Sequence, residues 1–198
     1  VIDASHGVSS VTYDLRGNIT SVSDPLGRIL KLAWDHFDRE TKVTYPDGSF
    51  IDLEYDLSDN VILRRDHLGR ETRFEYNVNH QPILITNPDG TTISFVYDGL
   101  GRKTSVIDPL GRETRFEYDP FAGESDRSRV TKIMYPDNSF ELFEYDVAGQ
   151  LVTSQDALGN KTTLEYDPSG RLIAAIDSAG NRWESTYDAA GRLVSQKD

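Results

Sequence analysis

The sequence predicts an all-β protein, a repetitive antiparallel strip of β-hairpins with about 18 strands. An aromatic residue returns at positions 13, 34, 55, 76, 97 and 118, and again at 145, 166 and 187. The steps are 21 residues long, apart from one step of 27. Two turn signals recur in every repeat, which leaves room for two strands of about six residues and predicts one hairpin per repeat.

The first turn signal follows the aromatic residue, because Asp or Asn comes next in all nine repeats. Three residues later stands Gly in five repeats, and Asp38, Asp59 or His80 in three others. These residue types accept a positive φ most readily, so each turn is predicted to hold one left-handed residue. The motif residues are Tyr13, Asp14, Gly17, Tyr55, Asp56, Tyr97, Asp98, Gly101, Tyr118, Asp119, Tyr145, Asp146, Gly149, Tyr166, Asp167, Gly170, Tyr187, Asp188 and Gly191.

The second turn signal comes about ten residues later and has the form Asp24-Pro25-Leu26-Gly27 or Asp108-Pro109-Leu110-Gly111. Proline stands second in five of the eight turns of this kind, where its fixed φ suits a type I turn followed by a left-handed residue. The left-handed positions predicted in these turns are Gly27, Gly48, Gly69, Gly90, Gly111, Asn138, Gly159 and Gly180.

The strand after this second turn alternates with a period of two. Phe74 and Tyr76 point to one side, whereas Arg73 and Glu75 point to the other. The pattern predicts one apolar, aromatic-rich face and one charged face. The strand after the Tyr-Asp turn is less clear, because it carries apolar residues on both sides, and its buried face stays open.

The whole of residues 1–198 is interpreted as one repeat region of nine units, with a six-residue insertion near 123–128 in a Tyr-Asp turn. The repeat pattern is already in progress at both ends, so we expect a fragment of a larger protein. Such a fragment has unpaired terminal strands that can self-associate through their edges. Strand twist is expected to curl the strip into a spiral or a shell segment.

Composition argues against several classes of protein. The net charge of -12 disfavours a nucleic-acid partner, and the scattered Lys and Arg residues disfavour an anionic membrane surface. Hydrophobic residues make up 37% of the chain and form no run long enough for membrane insertion. The chain has no cysteine, so it contains no disulfide bond.

The repeats resemble the YD repeats of the Rhs (rearrangement hotspot) family. The units that carry the resemblance run from Tyr97-Asp98 through Asp108-Pro109-Leu110-Gly111 to Tyr118-Asp119, and from Tyr166-Asp167 to Tyr187-Asp188. The family includes bacterial polymorphic toxins, the B and C components of Tc toxins, and teneurins. The resemblance implies a hollow β-shell that encloses a C-terminal toxin or other cargo, in a bacterial protein made in the cytoplasm and then secreted or displayed on the cell surface. Trp34 and Asn77 depart from the pattern.

No catalytic, metal or cofactor site is expected. A catalytic role repeated nine times is implausible, so the Tyr-Asp pairs are interpreted as packing and turn-closing residues. His6, His36, His67 and His80 fall in predicted turns without metal-ligand spacing. Calcium binding stays open, although the nonapeptide period of calcium-binding β-rolls is absent. We expect a non-enzymatic shell wall; the alternative is an adhesin strip that recognises cell surfaces or carbohydrates through exposed aromatic rings.

Overall fold

A computed structural model describes residues 8–120 and 128–197 of the chain. These residues form 18 β-strands and contain no helix, so the predicted all-β hairpin fold is confirmed. Each strand pairs in antiparallel fashion with the next strand in the sequence. Within the described ranges, no helix is long and apolar enough to cross a membrane.

By its internal contacts the chain divides into two compact units, residues 1–94 and 95–198. The strands of the first unit are β1 Ser10–Tyr13, β2 Ile19–Ser23, β3 Ile29–Trp34, β4 Glu40–Thr44, β5 Phe50–Tyr55, β6 Val61–Asp66, β7 Glu71–Tyr76 and β8 Pro82–Thr86. The boundary falls inside β9, Thr92–Tyr97. The strands of the second unit are β10 Lys103–Ile107, β11 Glu113–Tyr118, β12 Val130–Met134, β13 Phe140–Tyr145, β14 Leu151–Gln155, β15 Lys161–Tyr166, β16 Leu172–Ile176, β17 Arg182–Tyr187 and β18 Leu193–Lys197.

Both kinds of turn close in the same way. In the turn that begins at Asp66, the Asp66 amide donates to the carbonyl of Arg70 at 3.1 Å, and the Gly69 amide donates to the carbonyl of Asp66 at 2.9 Å. These two bonds define a short hairpin loop that ends in a left-handed residue. Gly69 has a φ of 76°, and every other predicted left-handed position of the second turn also has a positive φ.

The left-handed residues of the Tyr-Asp turns are confirmed as well. Gly17, Gly101, Gly149, Gly170 and Gly191 have φ between 78° and 94°. Where Gly is missing, Asp38, Asp59 and His80 adopt φ of 62°, 64° and 61°. The left-handed conformation has a higher conformational free energy for aspartate or histidine than for glycine. These three residues adopt it because the geometry of the loop requires a positive φ at this position.

A β-bulge stands beside the repeated aromatic residue. In the β5–β6 hairpin Glu54 pairs with Leu63 but Tyr55 pairs with Val61, so Ile62 has no partner of its own. The same shift occurs at the aromatic residue in the hairpins that end at β2, β4, β8, β12, β14, β16 and β18. A bulge increases the local twist and interrupts the ladder of hydrogen bonds.

The two faces alternate as predicted, but burial is distributed differently. Residues of the aromatic face such as Phe74 and Tyr76 are half-buried, while Arg73 and Glu75 beside them are exposed. Among the described residues, the ones in the buried class are Leu63, Ser105 and Ala174, with 3%, 6% and 1% exposed surface. Their cross-strand partners show that all three lie on the charged face.

Long charged side chains explain this burial. Ala174 in β16 lies between Glu165 of β15 and Glu184 of β17. The Arg182 guanidinium extends over it, donating to Glu165 at 2.7 and 2.9 Å and to Glu184 at 2.9 Å. The methylene groups of such side chains cover the small residue while their charged ends stay in water.

Candidate functional site: the Tyr-Asp turns

In at least seven of the nine repeats, a hydrogen bond ties the aromatic ring to the hairpin before it. The Tyr76 hydroxyl donates to the backbone carbonyl of Val61, fifteen residues earlier, at 2.9 Å. The same bond recurs with the same separation at distances of 2.6–3.0 Å in five further repeats: Tyr55 to Glu40, Tyr118 to Lys103, Tyr145 to Val130, Tyr166 to Leu151 and Tyr187 to Leu172. One side-chain group therefore joins successive repeats along the chain.

The accepting carbonyl belongs to the first residue of a strand, next to the bulge. Val61 pairs with Tyr55 across this irregular point of the ladder. Backbone groups at a bulge lack regular ladder partners, and a shielded carbonyl without any donor costs about 1–3 kcal/mol. The hydroxyl of the next repeat supplies that donor. Burial of the ring also raises the pKa of Tyr76 above its ordinary value, so the hydroxyl keeps its proton at neutral pH.

Trp34 shows which property of the ring matters. Its indole Nε1 donates to the carbonyl of Ile19 at 2.7 Å, in place of a tyrosine hydroxyl and again fifteen residues back. Trp carries a ring donor, whereas Phe does not. The chain contains eight Phe residues, yet none stands at any of the nine repeat positions. This avoidance of Phe was the signal in the sequence from which the bond was predictable.

The acidic residue after the ring closes its own turn. Asp56 Oδ1 accepts the backbone N–H groups of Ser58 and Asn60 at 2.8 and 2.9 Å, and Oδ2 accepts the Asn60 side-chain amide at 2.8 Å. The two hydrogen bonds from Asn60 are the main cause of the lowered pKa of Asp56, because they stabilise the charged form of the carboxylate. The carboxylates of Asp14, Asp98, Asp167 and Asp188 bind their turns in the same way.

The residue after the left-handed position links one turn to the next. Arg39 binds its own Asp35 at 2.8 Å, and its Nη1 donates to the carbonyl of Asp56 and to Asp59, both at 2.9 Å. Its guanidinium also lies 4.7 Å from the centre of the Tyr55 ring. Arg102 and Arg171 take the same place over Tyr118 and Tyr187. Such cation–π contacts contribute about 0.5–1 kcal/mol at exposed sites.

Shorter side chains make the same link with one hydrogen bond. Asn18 donates to Asp38 at 2.7 Å, Asn60 contacts His80 Nδ1 at 3.0 Å, and Gln150 donates to the carbonyl of Gly170 at 3.1 Å. Arg, Asn or Gln stands at this position in all nine repeats. Sequence reasoning missed this set, although its uniform donor chemistry is visible in the sequence.

The two ends of the hairpins differ. On the Tyr-Asp side the side chain of Arg39 is 19% exposed and that of Arg129 is 11% exposed, although Arg192 in the last of these turns is 81% exposed. On the other side Arg28, Arg70 and Arg112 are 62–66% exposed and bind the Asp of their own turn. The Tyr-Asp turns therefore carry the contacts between repeats.

The predicted motif residues lie in separate turns, each set beside its own hairpin. Tyr13 differs from the other rings in that it is 60% exposed. The predicted insertion lies mostly outside the described residues, but its base is regular. The Asp119 amide donates to the carbonyl of Arg129 at 2.9 Å, as in the uninterrupted turns.

The histidines stand apart from one another. His80 contacts Asn60, His67 packs edge-on against Phe50, and His36 lies beside Phe37. His6 lies outside the described residues. In the part of the chain that the structure describes, no group of three His, Asp or Glu side chains is arranged to hold a metal ion.

Three solved structures share this fold. The structure of TcdB2-TccC3-Cdc42 matches with a TM-score of 0.60 and 17% identity, and that of TcdB2-TccC3 with 0.58 and 17%. The Tc holotoxin pore of Photorhabdus luminescens matches with a TM-score of 0.59 and 18% identity. Each match covers 97% of this chain but 13% of the other chain. The chain therefore spans about an eighth of the proteins that it resembles.

The sequence comparisons give a more specific result. No curated protein matches this chain. The family model for the RHS repeat matches residues 13–49, 55–92, 76–113, 97–139, 145–182 and 166–198. These matches cover most of the chain and begin at or next to the aromatic residues identified above, so the chain belongs to the RHS repeat family.

Proposed function

We propose that this chain is a non-enzymatic wall segment of a hollow β-shell, which encloses a C-terminal toxin or other cargo in a bacterial Rhs-type protein. The observation that carries the proposal is the recurrent hydrogen bond from the repeated ring to the preceding hairpin. It recurs with one separation through both compact units, as expected of a surface that extends by addition of identical elements.

The chemistry of the turns supports a structural role. The Asp56 carboxylate binds N–H groups of its own turn, as in most Tyr-Asp pairs, and the Tyr76 hydroxyl binds the preceding repeat. Catalysis requires several reactive groups to converge on one substrate. The motif residues instead lie one set per hairpin.

The shared fold supports the context of a secreted toxin. One of the matched structures is named as a Tc holotoxin pore with a mutation in TccC3, and the names of the other two also include TccC3. By this proposal the partners of the segment are the enclosed cargo and further repeats of the same protein, and the protein acts after export. Nucleic acid is not a partner, because a chain with a net charge of -12 repels a polyanion.

The test is protease protection of the cargo in the complete protein. We expect the C-terminal region to resist protease as long as the wall is intact. Thr153→Pro places proline within β14, which pairs on both sides, so it breaks the ladder and should expose the C-terminal region to cleavage.

The matched control is Ala157→Pro, which gives its turn the Asp-Pro-Leu-Gly sequence already present at Asp24-Pro25-Leu26-Gly27. Its protection should equal that of the unchanged protein. Equal cleavage of the C-terminal region in the unchanged protein and in the Thr153→Pro variant would refute the shell-wall proposal.

A further inference from the structure

The bond between successive hairpins depends on a proton that tyrosine can lose. In at least six repeats the donor of this ring bond is a tyrosine hydroxyl, which lies 2.6–3.0 Å from a backbone carbonyl oxygen of the preceding hairpin. In another repeat the donor is the indole Nε1 of Trp34, at 2.7 Å from the carbonyl oxygen of Ile19. The ordinary pKa of a tyrosine hydroxyl is about 10, whereas the indole N–H of tryptophan acts only as a donor. Alkali therefore affects one kind of ring bond and not the other.

Loss of the proton turns the attraction into a repulsion. When hydroxide takes the proton of the Tyr76 hydroxyl, water is formed and a phenolate oxygen faces the carbonyl oxygen of Val61. The phenolate has no hydrogen to donate, and its negative charge is repelled by the partial negative charge of the carbonyl oxygen. The carbonyl also lies beside a bulge, where regular ladder partners are missing. Ionisation therefore weakens the junction of two hairpins at its least regular point.

Burial and nearby carboxylates hold this proton in the folded chain. Burial is the main cause of the raised pKa of Tyr76, and the negative charge of Asp56 adds to the rise. Burial also leads in raising the pKa of Tyr118, where the charge of Asp98 acts in the same direction. The Arg102 guanidinium, 4.6 Å from the centre of the Tyr118 ring, opposes both. The folded chain thus keeps the hydroxyl protonated to a higher pH than an exposed tyrosine would allow.

Tyr55 shows the same balance of charges. Burial is again the main cause of its raised pKa, and the charges of Glu40 and Asp35 add to the rise. Arg39, 4.7 Å from the ring centre, opposes it. The arginines in the same place over other rings are Arg129 at Tyr145 and Arg171 at Tyr187.

The raised pKa values determine the direction of the effect on stability. A tyrosine whose pKa is higher in the folded state than in the unfolded state stabilises the fold below its ordinary pKa, and this contribution is lost as the pH rises through the folded value. Between the two values, unfolding releases one proton per tyrosine of this kind. The phenolates also add negative charge to a chain whose net charge is already -12.

We propose that the ring bonds form an alkali-sensitive switch, in which ionisation of the tyrosine hydroxyls releases the bonds between hairpins and unfolds the chain above about pH 10, while the Trp34 bond is unaffected. The switch is a property of the hairpin junctions and does not depend on the shell-wall proposal, so it is tested on the chain alone.

The test compares three side chains at one position. Urea unfolding of the unchanged chain, Tyr76→Trp and Tyr76→Phe is followed by circular dichroism from about pH 8 to about pH 11.5. Above about pH 10 the equilibrium constant for folding should fall by up to about tenfold more per pH unit in the unchanged chain than in Tyr76→Trp, because one proton is linked to unfolding. Tyr76→Phe should be less stable already near pH 8, yet as insensitive to alkali as Tyr76→Trp. The lysines also titrate in this range, but they are the same in all three chains and cancel in the comparison.

Trp34→Tyr is the matched gain of function. It replaces a donor that does not ionise with one that does, so the folding equilibrium should fall more steeply with pH than in the unchanged chain. The ultraviolet absorbance of tyrosinate should rise together with the loss of the circular dichroism signal. Equal steepness in the unchanged chain and Tyr76→Trp, or unchanged steepness in Trp34→Tyr, would each overturn the proposal.

Discussion

At the scale of single residues, one ring donor joins successive repeats, a tyrosine hydroxyl in most of them and the Trp34 indole in one. The bond from Tyr76 to Val61 joins two hairpins at a point where a bulge interrupts the regular ladder. In several repeats the ring also receives the arginine of the preceding repeat, as Tyr55 does from Arg39. The contribution of the Tyr76 bond to stability is measurable because phenylalanine differs from tyrosine by the hydroxyl alone.

Tyr76→Phe is expected to destabilise the protein by about 1 kcal/mol, since a half-buried carbonyl loses its donor. The measurement is the urea dependence of unfolding followed by circular dichroism. Tyr13→Phe is the control, because Tyr13 is 60% exposed; it should change stability by less than about 0.5 kcal/mol. Equal losses in the two variants would mean that the bond between repeats contributes nothing.

A second prediction concerns the left-handed residues. Gly111 has a φ of 76°, and a Cβ at this position would meet no atom within 4 Å. Gly111→Ala should therefore cost about 1–2 kcal/mol through backbone conformation alone. Gly99→Ala is the control: a Cβ at Gly99 would also meet no atom within 4 Å, but φ at Gly99 is not in the left-handed region. This variant should be neutral or should stabilise the protein by about 0.5 kcal/mol. A thermal melt of both variants decides the matter, and similar midpoints would contradict the conformational explanation.

At the scale of elements, the hairpin boundaries and turn types were predictable from the sequence. Gly, Pro and Asp signals act locally, so they specify a loop without knowledge of its surroundings. The burial of Leu63, Ser105 and Ala174 was not predictable in the same way. It depends on long side chains such as Arg182, which reach across a neighbouring strand after the sheet has formed.

The candidate site was predicted in part. Sequence reasoning identified the Tyr-Asp pairs and interpreted them as packing and turn-closing residues. The acceptor fifteen residues back and the Arg, Asn or Gln link were missed, because both depend on the stagger between successive hairpins. Hydrophobic periodicity predicts the strands, but it does not specify which carbonyl a ring of the next hairpin reaches.

The aromatic face gives a prediction at this scale. Phe74 is half-buried opposite Ile85, whereas Phe140 is 39% exposed on the charged face. Phe74→Ala should cost about 3 kcal/mol or somewhat less, since one sheet buries the ring incompletely. Phe140→Ala should cost less than half as much in the same denaturant titration. If Phe140 proves the more important residue, the assignment of the two faces is wrong.

At the scale of the whole molecule, the turn carboxylates together make the stability of the fold dependent on pH. The hydrogen bonds within the turns lower the pKa values of Asp56, Asp156 and Asp177 below the ordinary value. A carboxyl group whose pKa is lower in the folded state stabilises the fold above its unfolded pKa, near 3.9, and loses that contribution as the pH falls through the folded value.

The melting temperature is therefore expected to stay nearly constant from pH 7 to about pH 5 and to fall steeply below about pH 4. Asp156→Asn should slightly reduce the loss of stability in acid. The turn should stay closed, since Asn77 and Asn87 occupy the equivalent position in their own turns. Scanning calorimetry at a series of pH values provides the measurement. A melting temperature that rises below pH 4 would show that the turn carboxylates destabilise the fold.

The hydrogen bonds between rings and carbonyls also have a direction. Every one of those described runs from a later residue to an earlier one, from Tyr187 to Leu172 and from Tyr55 to Glu40 alike. For this bond, a hairpin leaving the ribosome thus finds its acceptor on chain that has already been synthesised, whereas the Arg39 bonds to Asp56 and Asp59 form only with the next hairpin. Domains fold from the N-terminus during synthesis at about 5–20 residues per second, so one repeat is completed every few seconds. The ring bond therefore attaches each new repeat to the one synthesised before it.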